Sequence, residues 1–250
     1  MKALLRLLGL GLIAGLALQL FFVARIAMMA VVNPESTAFQ RSEAYLVARN
    51  TGTLKWRQQW VPYSELPAHL KRAVIASEDA SFAEHDGVDM EALEKAWDKN
   101  AKAEQRAAQS ASRLAPANKA AATPAKPPKI VGGSTITQQL AKNLFLSGER
   151  TLLRKGQELV LTLMLEALLS KERILEIYLN SVEWGEGIFG AEAAAQHYYR
   201  KPAAKLSAYE AARLAVMLPR PKYFETRPSS GYLASRASTI VARMGGVELP

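Results

Sequence analysis

The sequence predicts a mainly α-helical chain with a membrane-spanning helix at its N-terminus. Three observations carry this: residues Leu7 to Ala24 contain no charge, apolar residues recur at helical spacing through most of the remainder, and Ser, Thr or Asp stands before several of those runs. The 250 residues, 49% hydrophobic and 22% charged, suffice for one well-buried domain. With no cysteine, disulfides and thiolate metal sites are excluded.

The first element is the apolar run. After Arg25 it resumes from Ile26 to Val32, and Asn33-Pro34 is expected to stop the helix. Lys2 and Arg6 precede it, so the positive-inside rule predicts a cytoplasmic tail, a single crossing and the bulk of the chain on the far side. The expected division is 1–33 as tail and signal-anchor, and 34–250 as the domain. A cleaved signal peptide is the alternative, with Ala27-Met28-Met29-Ala30 as the small-residue region, although the run is longer than a usual signal core.

Residues 38–62 mix alternating and aromatic positions, as in Ala44-Tyr45-Leu46-Val47, and predict a short strand or hairpin around Thr51-Gly52. Next, Leu70, Ala73, Val74 and Ser77 mark a helix with Pro67 near its first turn, which places Glu78 towards the helix end. A second helix is expected from Asp89 through Trp97. Residues 98–129 hold eleven alanines, four prolines and seven basic side chains with almost no large apolar ones, which predicts a mobile insertion, helical at most at its alanine-rich start. The run from Arg154 predicts a central, largely buried helix, then an amphipathic one from Ser170. Further helices are expected at 191–199 and 207–218, the latter with Ser207 and Glu210 at capping-box spacing.

The net charge of +9 does not form a nucleic-acid face. Residues 1–33 contribute +3 and 98–129 contribute +5, leaving only +1 elsewhere. Anionic lipid headgroups suit that distribution better.

Three segments could carry chemistry. Glu78, Asp79, Glu84, His85 and Asp86 cluster beside Gly87, as a general base in a partly apolar setting requires, though acids near a helix end are often merely solvated. Gly132-Gly133-Ser134-Thr135 precedes a helix whose Thr135 and Gln138 have capping-box spacing; free N–H groups there attract anions such as a diphosphate, and an ordinary cap reads the same way. Arg154 and Glu158, four apart, share a helix face with Lys155 nearby; a surface ion pair is the plain alternative. His69, His85 and His197 lack metal-ligand spacing.

Together, Glu78-Asp79-x-x-Phe82-x-x-His85-x-Gly87, Gly132 to Gln139, Arg154-Lys155-x-x-Glu158 and Ile174-Leu175-Glu176-x-Tyr178-Leu179-Asn180 resemble the ordered motifs of the peptidoglycan glycosyltransferases. The resemblance continues through Gly185-x-Gly187-x-x-Gly190 and covers roughly residues 60–225 apart from the insertion. It implies a lysozyme-like bilobed helical domain that polymerises lipid II, joining disaccharide-peptide units to a growing glycan strand with inversion and release of undecaprenyl diphosphate. It assigns Glu78 as catalytic base and Glu158 as the second catalytic glutamate. Lys142 and Arg150 match positions that hold the departing diphosphate, while Ser134, Gln138, Gln139, Asn143, Arg154 and Lys155 match cleft-lining positions. Asp79, Phe82, His85 and Gly87 support the first motif.

The resemblance also implies a bacterial inner-membrane location with a periplasmic domain. It leaves a divalent cation such as magnesium open as a cofactor, and other cell-wall synthesis proteins open as partners. About thirty residues follow Pro221 and no Ser-x-x-Lys or Lys-Thr-Gly occurs, so the monofunctional form is expected. A lytic or lysozyme-like glycan-cleaving enzyme is the leading alternative, because a glutamate in such a cleft also suits cleavage. A non-enzymatic cell-wall scaffold is the third reading.

Overall fold

A computed structural model of the chain describes residues 1–113, 133–146, 148 and 151–250. They fall into two compact units, one of residues 1–87 with 135–250 and one of 88–134.

In the first unit, α1 (Lys2–Met28) is a helix of 27 residues, about 40 Å long at 1.5 Å per residue, long and apolar enough to cross a membrane. Its hydrogen-bonded turns run on as far as Val32, whose N–H reaches Met28 O at 2.9 Å, so the helical path ends just before Asn33-Pro34 as expected.

The expected strand or hairpin over 38–62 is largely wrong. Residues Ala38–Thr51 form α2, and only β1 (Arg57–Gln58) is extended. Thr37 and Gln40 close a full capping box, and Gly52 in the left-handed region (φ 71) terminates the helix. Buried Gln40, Ala44 and Val47 recur at helical spacing, a period hidden by the apparent alternation of Ala44 to Val47.

A single 3-10 turn, Tyr63–Glu65, leads to α3 (Ala68–Glu78). After α4 (Met90–Arg113), which belongs to the second unit, come α5 (Ile136–Phe145), α6 (Leu152–Leu168), α7 (Lys171–Ser181), α8 (Ala191–Tyr199), α9 (Ala208–Met217), α10 (Pro221–Glu225) and α11 (Gly231–Met244). Helix starts at Thr135, Ser170 and Ser207 are capped as the sequence predicts. The core packs α3, α9 and α11 together, with α5 against α6 and α7. Trp184, Tyr178, Phe82 and Phe189 are its largest fully buried side chains.

A small sheet in the order β1-β3-β2 joins β1 parallel to β3 (Ile188–Phe189), and β3 antiparallel to β2 (Glu183–Gly185) across a register shift. Gly190 follows at φ 83, where a Cβ would lie 2.7 Å from Asn180 O, so this turn needs a glycine.

The expectation of a largely buried central helix needs correction. In α6 only Glu158, Leu161, Thr162 and Leu165 are buried, whereas Leu152 and Leu153 are 93% and 86% exposed and Leu159, Val160 and Leu163 are also open. Apolar residues all round a helix do not by themselves say which face the core takes.

The second unit contains α4 (Met90–Arg113), whose 24 residues are more than two and a half times the expected Asp89–Trp97 helix. Asp89 caps it, accepting from Ala92 N at 2.7 Å. Residues 98–113 of the expected insertion thus continue this helix; residues 114–129, and with them the rest of that expectation, lie outside the described residues. Gly133 lies against the same helix, where a Cβ would be 3.3 Å from Leu93 Cα.

Candidate active site

Glu78 is the last residue of α3, partly buried, and the chain turns sharply at Asp79. The buried Asp79 carboxylate fixes that turn from two sides. Oδ2 accepts from Ile136 N at 2.9 Å, at the start of α5, and Oδ1 lies 2.9 Å from His85 Nε2. Gly87 N donates to His85 Nδ1 at 3.1 Å, so that ring nitrogen is an acceptor and Nε2 carries the proton towards Asp79. His85 therefore acts as a strut for the loop.

Gly87 sits at φ 84, and a Cβ there would come within 2.7 Å of Thr162 Cγ2 and 2.9 Å of Glu166 Cγ. Thr135 Oγ1 donates to Gly87 O at 2.7 Å, tying the end of the loop to the α5 cap. Below it, Thr137 Oγ1 donates to Glu166 Oε1 at 2.6 Å, Lys171 Nζ reaches the same oxygen at 2.9 Å, and Lys171 also donates to His85 O. Phe82 is fully buried under the Lys171 ammonium, 4.7 Å from its ring centre.

The α3 terminus thus faces the first turns of α5. Gln139 Nε2 donates to Glu78 Oε2 at 3.0 Å, and the fully buried Tyr178 hydroxyl donates to Gln139 Oε1, also at 3.0 Å. Burial pushes the Glu78 pKa up; the Gln139 bond pulls it back, Asp79 raises it and Lys142 lowers it. Lys142 lies one turn further along α5, open to solvent yet crowded by protein atoms. That desolvation lowers its pKa; Glu158 opposes the shift, Arg154 and Lys155 reinforce it, and Glu78 opposes it more weakly. One ammonium therefore feels both glutamates.

Glu158 is 4% exposed on α6 and is held by two cations. Arg154 Nη1 lies 2.9 Å from Oε2, and Lys155 Nζ contacts Oε1. The reading of these three as a plain surface pair fails, because the carboxylate is buried and doubly compensated. Arg154 Nε is buried with no partner among the described residues.

Glu78, Gln139, Lys142, Arg154, Lys155 and Glu158 therefore form one connected group in the first unit. Asn143 is buried, beside the exposed Lys142 on α5. Gln138 is engaged in the Thr135 capping box, where its Oε1 accepts from Thr135 N at 3.2 Å. Ser134 belongs to the second unit, and Arg150 lies outside the described residues. Sequence reasoning missed Glu166 and Lys171 as parts of this arrangement, and named Thr135 only as a helix cap and Tyr178 only as a member of its motif.

A family profile described as Transglycosylase matches residues 46–245. The chain is 54% identical over 237 residues to the biosynthetic peptidoglycan transglycosylase of Burkholderia thailandensis, covering 95% of this chain and 84% of that one. It is 52% identical over 237 residues to the proteins of the same name from Burkholderia orbicola and Burkholderia multivorans, each covered to 87%. With the profile spanning most of its length and those relatives matched nearly end to end, this chain belongs to the transglycosylase family.

Proposed function

We propose that this chain polymerises peptidoglycan glycan strands from lipid-linked disaccharide-peptide units. Glu78 removes the proton of the acceptor 4-hydroxyl as that oxygen attacks the anomeric carbon of the donor, whose bond to the lipid diphosphate breaks with inversion. The observation that carries this is the pairing of a partly buried Glu78 with Gln139 beside a cation that also senses Glu158. A base needs its carboxylate free and oriented, and the Gln139 amide orients one oxygen while leaving the other open to substrate. Lys142, with Arg154 and Lys155 anchored on Glu158, supplies positive charge where the diphosphate charge develops.

Residues 1–33 serve as cytoplasmic tail and anchor, placing residues 34–250 on the outer face of the bacterial inner membrane, where lipid-linked substrate is available. A glycan-cleaving activity, whose leaving group is a sugar oxygen and not a diphosphate, has no comparable use for the cation cluster.

The test is polymerisation of a defined lipid-linked disaccharide-peptide by the purified full chain. Glu78→Gln should lower turnover by at least about a hundredfold, the lower end of what general-base catalysis contributes, with thermal stability nearly unchanged. A wild-type protein that shortens preformed glycan and never extends lipid-linked substrate would refute the assignment.

A further inference from the structure

A cavity of about 410 Å³ lies at the C-terminal end of α1, with Arg25, Met28, Val32, Glu35, Ser36 and Arg41 among its lining residues. Its walls are pinned. Arg173 of α7 donates from Nε to Met29 O at 2.8 Å, and from Nη2 to Val32 O at 3.1 Å and Asn33 Oδ1 at 2.8 Å. On the other side, the Thr37 capping box sets the start of α2, and Gln40 Nε2 holds Ser181 O at 3.0 Å.

The two arginines are the functional content of the cavity. Arg41 Nη1 donates to Ser36 O at 3.1 Å and to Ser36 Oγ at 2.9 Å, which orients the guanidinium without neutralising it. Neither Arg25 nor Arg41 has a carboxylate within ion-pair distance among the described residues, so Glu35 leaves the lining with a net charge of +1. Beside these charges Met28 and Val32 stand 55% and 50% exposed. Cations next to exposed apolar side chains describe a boundary between hydrocarbon and headgroups. The sequence puts that boundary here, since Arg25 is the first charge after the uncharged run from Leu7 to Ala24.

We propose that this cavity binds the phosphate of an anionic glycerophospholipid. Arg25 and Arg41 hold the phosphodiester oxygens, Ser36 borders them with Met28 and Val32 at headgroup level, and the acyl chains run back along α1 past the exposed Phe21 and Leu18, on the N-terminal side of Arg25. A choline or ethanolamine headgroup would bring its own cation towards two guanidinium groups, whereas a glycerol headgroup would not. The bound lipid would rest on the turn that Arg173 ties to α7, fixing the level at which the catalytic unit meets the membrane. The proposal depends on α1 lying in a membrane, as inferred above.

The experiment reconstitutes the full chain into lipid nanodiscs of phosphatidylcholine alone or mixed with phosphatidylglycerol. Retained lipid is counted by native mass spectrometry after detergent transfer. Wild type should retain phosphatidylglycerol preferentially. At about 1 kcal/mol per arginine near the surface, roughly fivefold, Arg41→Gln should cut that preference about fivefold and the Arg25→Gln, Arg41→Gln pair about twenty-five-fold. Arg41 is exposed, so its single variant leaves packing intact.

Adding millimolar inorganic phosphate separates the sources. Unchanged lipid retention supports a lipid site, and full displacement shows a site for free phosphate and overturns the proposal. Equal retention of both lipids, or equal preference in wild type and variants, overturns it too. Failure of the chain to enter either nanodisc would instead bring down the membrane reading of α1 and the proposal with it.

Discussion

Replacing Tyr178 by phenylalanine removes one oxygen that no substrate need touch, and it should still slow the reaction. An ionised Glu78 can only accept a hydrogen bond, so Gln139 must turn its Nε2 towards it and its Oε1 away. Oε1 then requires a donor, and the Tyr178 hydroxyl is that donor at 3.0 Å; burial, with Glu78 and Asp79 nearby, keeps the phenol protonated. Without the hydroxyl a half-buried carbonyl loses its donor, at a stability cost of about 1 kcal/mol, the lower end of the range for an unpaired polar group. The amide is also freed to rotate its oxygen towards Glu78, removing the bond that lowers the glutamate pKa. The perturbation should lower kcat about tenfold, equivalent to about 1.4 kcal/mol in the barrier, with KM little changed. Because burial has already raised the Glu78 pKa, the acid limb of the pH–rate profile should lie above the ordinary carboxylate range in wild type and move further up in Tyr178→Phe. A variant with a lower melting temperature but an unmoved acid limb would show that Tyr178 only fills the core.

The two cations on Glu158 should separate in their cost. Arg154→Ala strips a mostly buried partner (side chain 18% exposed) and should destabilise by about 3–5 kcal/mol in chemical denaturation. Lys155→Ala, whose side chain is 55% exposed, should cost under about 1 kcal/mol. Burial raises Glu183 to a pKa of about 7 despite Lys222, with Glu43 and Glu225 adding to the shift. Its protonated form therefore favours the fold below pH 4.5, and that contribution is lost as pH rises through about 7. Glu183→Gln should accordingly raise the melting temperature at pH 8 and change it little at pH 4; the reverse ordering would contradict the burial argument. Deleting 114–129 should leave polymerisation intact, because that stretch has Leu114 as its one large apolar side chain and cannot build a core, and complete loss would show that it handles substrate.

Helices whose caps and periods agree were legible from sequence. Ser207 with Glu210, Ser170 and Thr135 with Gln138 each mark a true start, since a cap satisfies its own helix and needs no distant partner. The Thr37 and Gln40 box was equally local, yet the four-residue alternation at Ala44 to Val47 masked it. Periodicity is decided over a longer window than four residues, and Gln40, Ala44 and Val47 supply it only when read together. Of the residues named from motif order, Glu78, Gln139, Lys142, Arg154, Lys155 and Glu158 lie together in the first unit, but spacing could not supply pairings across the chain. Tyr178 reaches Gln139 over 39 residues and Lys171 reaches His85 over 86, distances at which only the fold decides.

The misread burial of α6 has a physical origin that bears on how the site works. A helix apolar on nearly every face is buried in protein or in lipid, and composition does not distinguish them. Here the inner face packs in the core through Leu161 and Leu165, while α1 lies against the helix elsewhere. Gln19, inside the uncharged run of α1, exchanges hydrogen bonds with Gln157 at 3.1 and 3.3 Å, and Phe22 meets Phe145 edge-on at 5.3 Å. An amide within such a run needs a partner wherever water is scarce, and its partner here is the residue immediately before Glu158. The N-terminal helix is thus packed against the element that carries the second glutamate, as well as being long enough to anchor the chain. With the exposed Leu152, Leu153 and Leu163 on that same element, α6 presents its charges at one face and an apolar surface at another. That is the division needed to handle a ligand that is diphosphate at one end and hydrocarbon at the other.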